Sequence, residues 1–274
     1  MTVTLLVGGL SAVALIIRRH TWRVPGEQPA TLAVLFFGLG TYLMANECRL
    51  GELLWHLTGW GYLDSFAGHL LWLGGVICLL YQALYRLAEH DERVEIFDAL
   101  VRWPLTLMVP FMVSAMFMSE AMHEQPMVDV ALVPAGFWLH VYRILWYGGL
   151  LYLTLLLVRV LRAVRDTSAG PHYVARLYEA ASWLIVAAIV VRVASYTAPF
   201  ADLQGVPILL RYAIVAAVAA GACASWIGKM WVHRGLLLIT RTTRRQRRAD
   251  TLESHRLRVL DDGGAPANAG ERPD

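Results

Sequence analysis

Two stretches of this chain hold ionisable side chains at spacings that could do chemistry. In "ECRLGELLWHLTGWGYLDSFAGHLLW", Glu47 to Trp72, Glu52 and His56 stand four residues apart, and Asp64 and His69 follow. In the second, Glu120 and His123 stand three apart, with Glu124, Asp129, His140 and Arg143 beyond them. Residues three or four apart share a face of a helix, so each pair could present a carboxylate and an imidazole together. Glu-x-x-His is half of a carboxylate-bridged metal site, and histidines on separate helices could ligate haem. A full two-metal set needs a second Glu-x-x-His inside the bundle, and the sequence has none.

Arginine widens the choice. Arg143 and Arg192 fall inside oily segments, where an Arg costs at least about 2.5 kcal/mol on insertion scales. Each must therefore face protein, water or a ligand. With Glu120, His69 and His140 they make a candidate binding set for a small polar or anionic solute. The arginines would supply charge, and His69 and Glu120 are candidate gating or proton groups. The alternative set, Glu52, His56, His69, Glu120, His123 and His140, would hold a metal or haem; on the leading reading no cofactor is expected. Each histidine taken singly also reads as a satisfied core or interfacial side chain. The sequence has no phosphate-binding glycine loop, His-Glu-x-x-His or Gly-x-Ser-x-Gly, so nothing in it points to an enzyme.

The elements that position these groups follow from composition. Of 274 residues, 57% are hydrophobic and 16% charged, against roughly a quarter charged in soluble domains. A helical span needs about 17–25 mostly apolar residues. The sequence predicts an all-α polytopic membrane bundle over residues 1–233 with about seven spans, near 2–17, 30–46, 66–86, 104–121, 136–158, 174–197 and 207–228. With the N-terminus outside, the inner segments hold 20 of the 24 Arg and Lys, which is the bias expected of cytoplasmic loops. The net charge of +3 is then a topology signal, and no nucleic-acid partner is implied. The first apolar run is followed, not preceded, by Arg18, Arg19 and Arg23, and so reads as a retained anchor in place of a signal peptide.

Residues 234–248 are basic. Arg241, Arg244, Arg245, Arg247 and Arg248 would sit at the cytoplasmic surface, where each attracts anionic lipid headgroups by roughly 1 kcal/mol. Residues 249–274, polar and rich in Gly, Ala and Pro, are expected to be disordered. One external thiol, Cys48, beside Cys78 and Cys223 within spans, argues for no disulfide.

Small residues let membrane helices approach, so Gly38 and Gly40 in the second span and Ala217, Gly221 and Ser225 in the last read as packing faces. Met108, Met112 and Met116 make a stripe suited to adaptable packing, or to a thioether path for copper(I). Leu71-Trp72-Leu73-Gly74-Gly75 in the third span matches Leu145-Trp146-Tyr147-Gly148-Gly149 in the fifth, as a two-helix duplication would. "GELLWHLTG" is expected to form a short amphipathic or re-entrant helix, and "EHDERVEIFD", Glu89 to Asp98, a solvated amphipathic linker. Nearly every ionisable group placed inside the bilayer falls in its outer half, which predicts a polar chamber open to the outside.

The segment "LLWHLTGWGYLDSFAGHLLWLGGV", Leu53 to Val76, has a Leu-Thr-Gly element and a Leu-Asp turn before a span opening near Gly68-His69. In this it resembles a family of actinobacterial membrane proteins of about seven spans, some of them phage-encoded, described as candidate transporters. The resemblance implies the topology and a plasma-membrane location, and brings no catalytic residues with it. Three functional expectations follow: a solute binder or transporter, a metal or haem protein, and a membrane interaction, signalling or phage-related envelope factor. Protein partners and oligomeric state stay open.

Overall fold

The computed structural model describes residues 2–24, 26–45, 48, 50–124, 130, 133–134, 136–167 and 172–240. The chain forms two compact units, Met1–Ser225 and Trp226–Asp274. Glu47, Asp129, the basic cluster Arg241, Arg244, Arg245, Arg247 and Arg248, and the tail 249–274 lie outside the described residues.

The described regular structure is helical throughout: α1 (Thr2–Ile17), α2 (Gln28–Leu43), α3 (Leu50–Thr58), α4 (Leu63–Leu87), α5 (His90–Phe97), α6 (Trp103–Phe117), α7 (Phe137–Thr167), α8 (His172–Ala194) and α9 (Val206–Thr240). Five stretches are long and apolar enough to cross a membrane: Leu63–Leu87, His90–Phe117, Phe137–Asp166, Tyr173–Ala194 and Asp202–Trp231. Two of the seven expected spans correspond to shorter apolar helices, Leu6–Ile17 and Gln28–Leu43. Large apolar side chains also cover the outside, among them Leu6 and Ile144 at 71% exposure and Leu107 at 65%. A bundle oily both within and without suits lipid as its solvent, and the all-α membrane-helix reading stands on that.

Proline and glycine set the local geometry. Pro29 opens α2 and Pro104 opens α6, where a missing N–H is tolerated. Pro104 cannot donate to the carbonyl of Leu100 one turn back; the Tyr152 hydroxyl of α7 donates to it instead, at 2.8 Å. The residues expected as a solvated linker form α5 and a single π turn, Asp98–Arg102, running into α6. They are not wholly solvated, because Arg93 is buried with its guanidinium over the rings of Tyr85 and Tyr81 on α4, at 4.6 and 5.3 Å.

The helix "GELLWHLTG" is present as α3, and the turn after it passes through positive φ at Gly59 (73°) and Tyr62 (58°). That turn is tied to the short helix Glu120–His123 beyond α6 by the Gly61 N–H donating to the Met122 carbonyl at 2.8 Å. The two connections rich in Glu and His thus pack at one end of the bundle.

α4 is the hub, packed on α2 and α7, with α8 and α6 against α7 and α1 against α2. At the α2–α4 crossing a Cβ on Gly40 would stand 2.9 Å from the Gly68 carbonyl oxygen and 2.8 Å from the Trp72 ring. Backbone cannot yield as a side-chain tip can, and overpacking of this kind costs about 1–3 kcal/mol. Gly40→Val is expected to lower the melting temperature in detergent by several degrees, while Gly148→Ala, where a Cβ meets nothing within 4 Å, leaves it unchanged.

Candidate functional site

One third of the way along α4 and α7, and near the end of α8, the bundle holds a small recess of about 40 Å³. Its walls are Trp72 of α4, Trp146, Tyr147 and Leu150 of α7, and Ile185, Ala188, Ile189 and Arg192 of α8, with Met44, Pro207 and Arg211 at the rim. The α8 residues fall at i, i+3, i+4 and i+7, which is one helical face. The tryptophans are the matching residues of the repeated Leu-Trp-x-Gly-Gly sequence. The last glycine in each copy admits a neighbour's side chain: Phe37 of α2 beside Gly75, and Met108 of α6 beside Gly149. The two copies therefore do the same job, each bringing a Trp helix close enough to a neighbour to set its ring in the wall.

The aromatic wall is held from behind. Trp72 donates its indole N–H to Thr41 Oγ1 at 3.1 Å and meets Phe37 edge-on at 5.0 Å. Trp146 stacks on the His69 ring with centroids 3.7 Å apart. His69 Nδ1 and the Tyr142 hydroxyl share a hydrogen bond of 2.5 Å, with His69 1% exposed. His69 therefore sits one layer behind the recess and supports its wall.

Arg192 is 3% exposed, and neither of its terminal nitrogens has a hydrogen-bond partner among the described residues. The buried Trp146 Nε1 also lacks one. These three orphaned atoms on the recess are all donors, and among its described walls no carboxylate answers them. A guanidinium keeps its charge in proteins, so the recess is a buried positive site presenting N–H groups. Such a fork matches the two oxygens of a carboxylate.

The other sequence candidates separate. Arg143, buried, donates from Nη2 to the carbonyls of Val130 (2.8 Å) and Val133 (2.6 Å), and its guanidinium lies 5.1 Å from the Tyr196 ring. Tyr196 in turn shares a hydroxyl bond of 3.1 Å with Tyr147 of the recess wall. Arg143 thus holds Val130 and Val133 before α7 and, among the described residues, reaches the recess through two tyrosines. Glu52, His56, Glu120, His123 and His140 are exposed, and His123 leans on Trp60 at 5.1 Å. Among the described residues no three His, Cys, Asp or Glu side chains come together as metal ligands would. The Glu-His pairs ride on the outward faces of short helices, while His69 is turned inward behind Trp146.

Sequence reasoning passed over Trp72, Trp146, Tyr147 and Arg211 as site residues. The signal for the first two was the repeated motif, which carried no indication of which side its tryptophans face. Searches against family models, characterised proteins and solved structures find no match to this chain.

Proposed function

We propose that this chain is a multispan membrane protein that binds a small organic anion in the recess lined by Trp72, Trp146 and Arg192. In this reading α1 and α2 add two short spans to the five long helices, with the N-terminus outside, the C-terminus cytoplasmic and the recess toward the outer side. One observation carries it: the hydrogen-bonding groups left over in an apolar, aromatic cavity are a buried guanidinium and an indole N–H. Orphaned buried donors cost free energy, and a carboxylate against Arg192 with an apolar body against the tryptophans satisfies both.

Binding is read by tryptophan fluorescence of the purified full chain titrated with 3-phenyllactate, using the cation phenylalaninol as control. Saturable quenching by the anion alone is expected; equal responses to both, or to neither, sink the reading. Orientation has its own check. Cys48, between α2 and α3, is partly exposed. Burial, with a smaller contribution from the Asp64 carboxylate, pushes its thiol up despite a backbone hydrogen bond at Leu50 that lowers it. A raised thiol has less thiolate at neutral pH. A membrane-impermeant maleimide should therefore label Cys48 on intact cells slowly at pH 7 and faster at pH 8.5; labelling only after lysis would reverse the topology.

A further inference from the structure

The other end of α4, α7 and α8 encloses a hollow of about 10 Å³, lined among others by Gln82 and Arg86 of α4, Leu161 and Val164 of α7, and Ala175 and Tyr178 of α8. One water molecule needs about that much room. Gln82 and Tyr178 are 4% and 5% exposed, yet the Gln82 Oε1 and the Tyr178 hydroxyl have no hydrogen-bond partner among the described residues. Both side chains are held in place. The Gln82 amide donates to the Gly26 carbonyl at 2.8 Å and leaves Oε1 as the unused acceptor. The Tyr178 ring lies against Gly221 of α9, where an added Cβ would stand 2.9 Å from ring Cε1. Because α8 packs chiefly on α7, its Tyr178 reaches the hollow from one side and Gln82 of α4 from another, and no direct bond joins them.

We infer that the hollow is a water site: one buried water accepts a hydrogen bond from the Tyr178 hydroxyl and donates one to Gln82 Oε1, joining α8 to α4. A buried hydroxyl and a buried amide oxygen each cost free energy when left unpaired, and a single bridging molecule answers both. The surroundings select water over an ion. The guanidiniums of Arg18 and Arg86 and the carboxylate of Glu27 all act electrostatically on the Tyr178 hydroxyl, so both signs of charge stand beside the hollow. A sodium ion would be repelled by two arginines, and a chloride would meet Gln82 Oε1 and the Glu27 carboxylate. Water carries no charge and can both donate and accept.

The water completes a line of bonds across this end of the bundle. Tyr178 reaches Gln82 through it, the Gln82 amide reaches the Gly26 carbonyl, and the next residue, Glu27, pairs with Arg18 at 2.9 Å. Arg18 in turn donates to the Ala222 carbonyl of α9. In this way α8 joins the junction that Arg18 and Glu27 make between α1, α2 and α9. The inference is independent of the anion site at the opposite end.

Thermal unfolding of the full chain in detergent tests it, because a wet and a dry hollow differ in sign. With water in place, Tyr178→Phe breaks a hydrogen bond, and the melting temperature is expected to fall by about 2–4 °C. In a dry hollow the hydroxyl is an orphan, so its removal would leave the melting temperature unchanged or raise it, and either result overturns the proposal. Gln82→Met keeps the length of the side chain but removes both the acceptor and the bond to Gly26, so its fall should be larger. In the double variant the fall is expected to be smaller than the sum of the two, as for residues that share one network; additive shifts overturn the bridge. A crystal structure of the wild-type chain grown in rubidium bromide reads the site without any substitution. Density for a water within hydrogen-bond reach of both atoms, with no anomalous signal, is expected. Absence of that density, or a rubidium or bromide peak in its place, overturns the proposal.

Discussion

Arg192→Gln is expected to weaken 3-phenyllactate binding by about 30- to 1,000-fold, because removing one partner of a buried, hydrogen-bonded charge pair costs about 2–4 kcal/mol. The same substitution should leave the unliganded protein as stable as wild type, or more so. Arg192 is buried with two orphaned nitrogens, and a charge held that way is a burden the fold carries without return. Loss of affinity with no loss of melting temperature is the signature of a ligand-facing group. Arg143→Gln should do the opposite. Its bonds to the Val130 and Val133 carbonyls hold the connection before α7, so the melting temperature falls while the folded fraction keeps its affinity to within about threefold. Equilibrium titration and thermal unfolding of both variants decide the matter. If Arg192→Gln binds as tightly as wild type, the recess is not the anion site.

Glu27→Gln is expected to cost about 3–5 kcal/mol of stability, the usual result of breaking a buried ion pair from one side, or a fall in melting temperature on the order of 10 °C. Arg18 is fully buried and Glu27 1% exposed. The Arg18 guanidinium donates to Glu27 Oε2 at 2.9 Å, to the Glu27 carbonyl at 3.1 Å and to Thr31 Oγ1 at 3.1 Å. It also donates to the carbonyl of Ala222 on α9. One side chain therefore ties the end of α1 to α2 and to α9, and the Thr4–Tyr212 hydroxyl pair at 2.8 Å adds a second tie between α1 and α9. Gln in place of Glu27 leaves the guanidinium charge buried without its counter-ion. The double variant Arg18→Met with Glu27→Leu removes both charges, and should recover most of the loss, since apolar replacement of a buried pair is often close to neutral. An Arg18 that served only as a solvated topology anchor would give changes within about 0.5 kcal/mol in every variant, and thermal unfolding in detergent separates the two.

Arg18 illustrates the limit of reading charge along a chain. In the sequence it is one of three arginines after the first apolar run, and the bias of cytoplasmic loops accounts for it completely. Burial is a property of what α2 and α9 bring to it, and nothing local announces that. The two membrane arginines fared similarly. Both were legible as groups that must face something other than lipid, because the cost of an Arg among apolar residues is local. Which of them meets carbonyls and which meets a cavity depends on side chains from other helices. The Glu-His pairs failed in the converse way: helical spacing put each pair on one face, but not on the face that meets another element. The repeated Leu-Trp-x-Gly-Gly sequence held the most unused information, since the last glycine of each copy marks a close approach and its tryptophans line the recess.

The sequence by itself determined the solvent and the secondary structure. Apolar runs of membrane length admit no conformation but a helix with its backbone bonds internal, and Pro, Gly and charge mark where such runs stop. It also determined that small residues would form the close crossings, as they do at Gly38, Gly40 and Gly221. Tertiary structure alone decided which buried donors found partners. Arg18 and the Arg143 Nη2 did, and among the described residues the two terminal nitrogens of Arg192 did not, because hydrogen-bond satisfaction in a bundle is set by the rotation and depth of helices distant in sequence, and those follow from packing the whole interface at once.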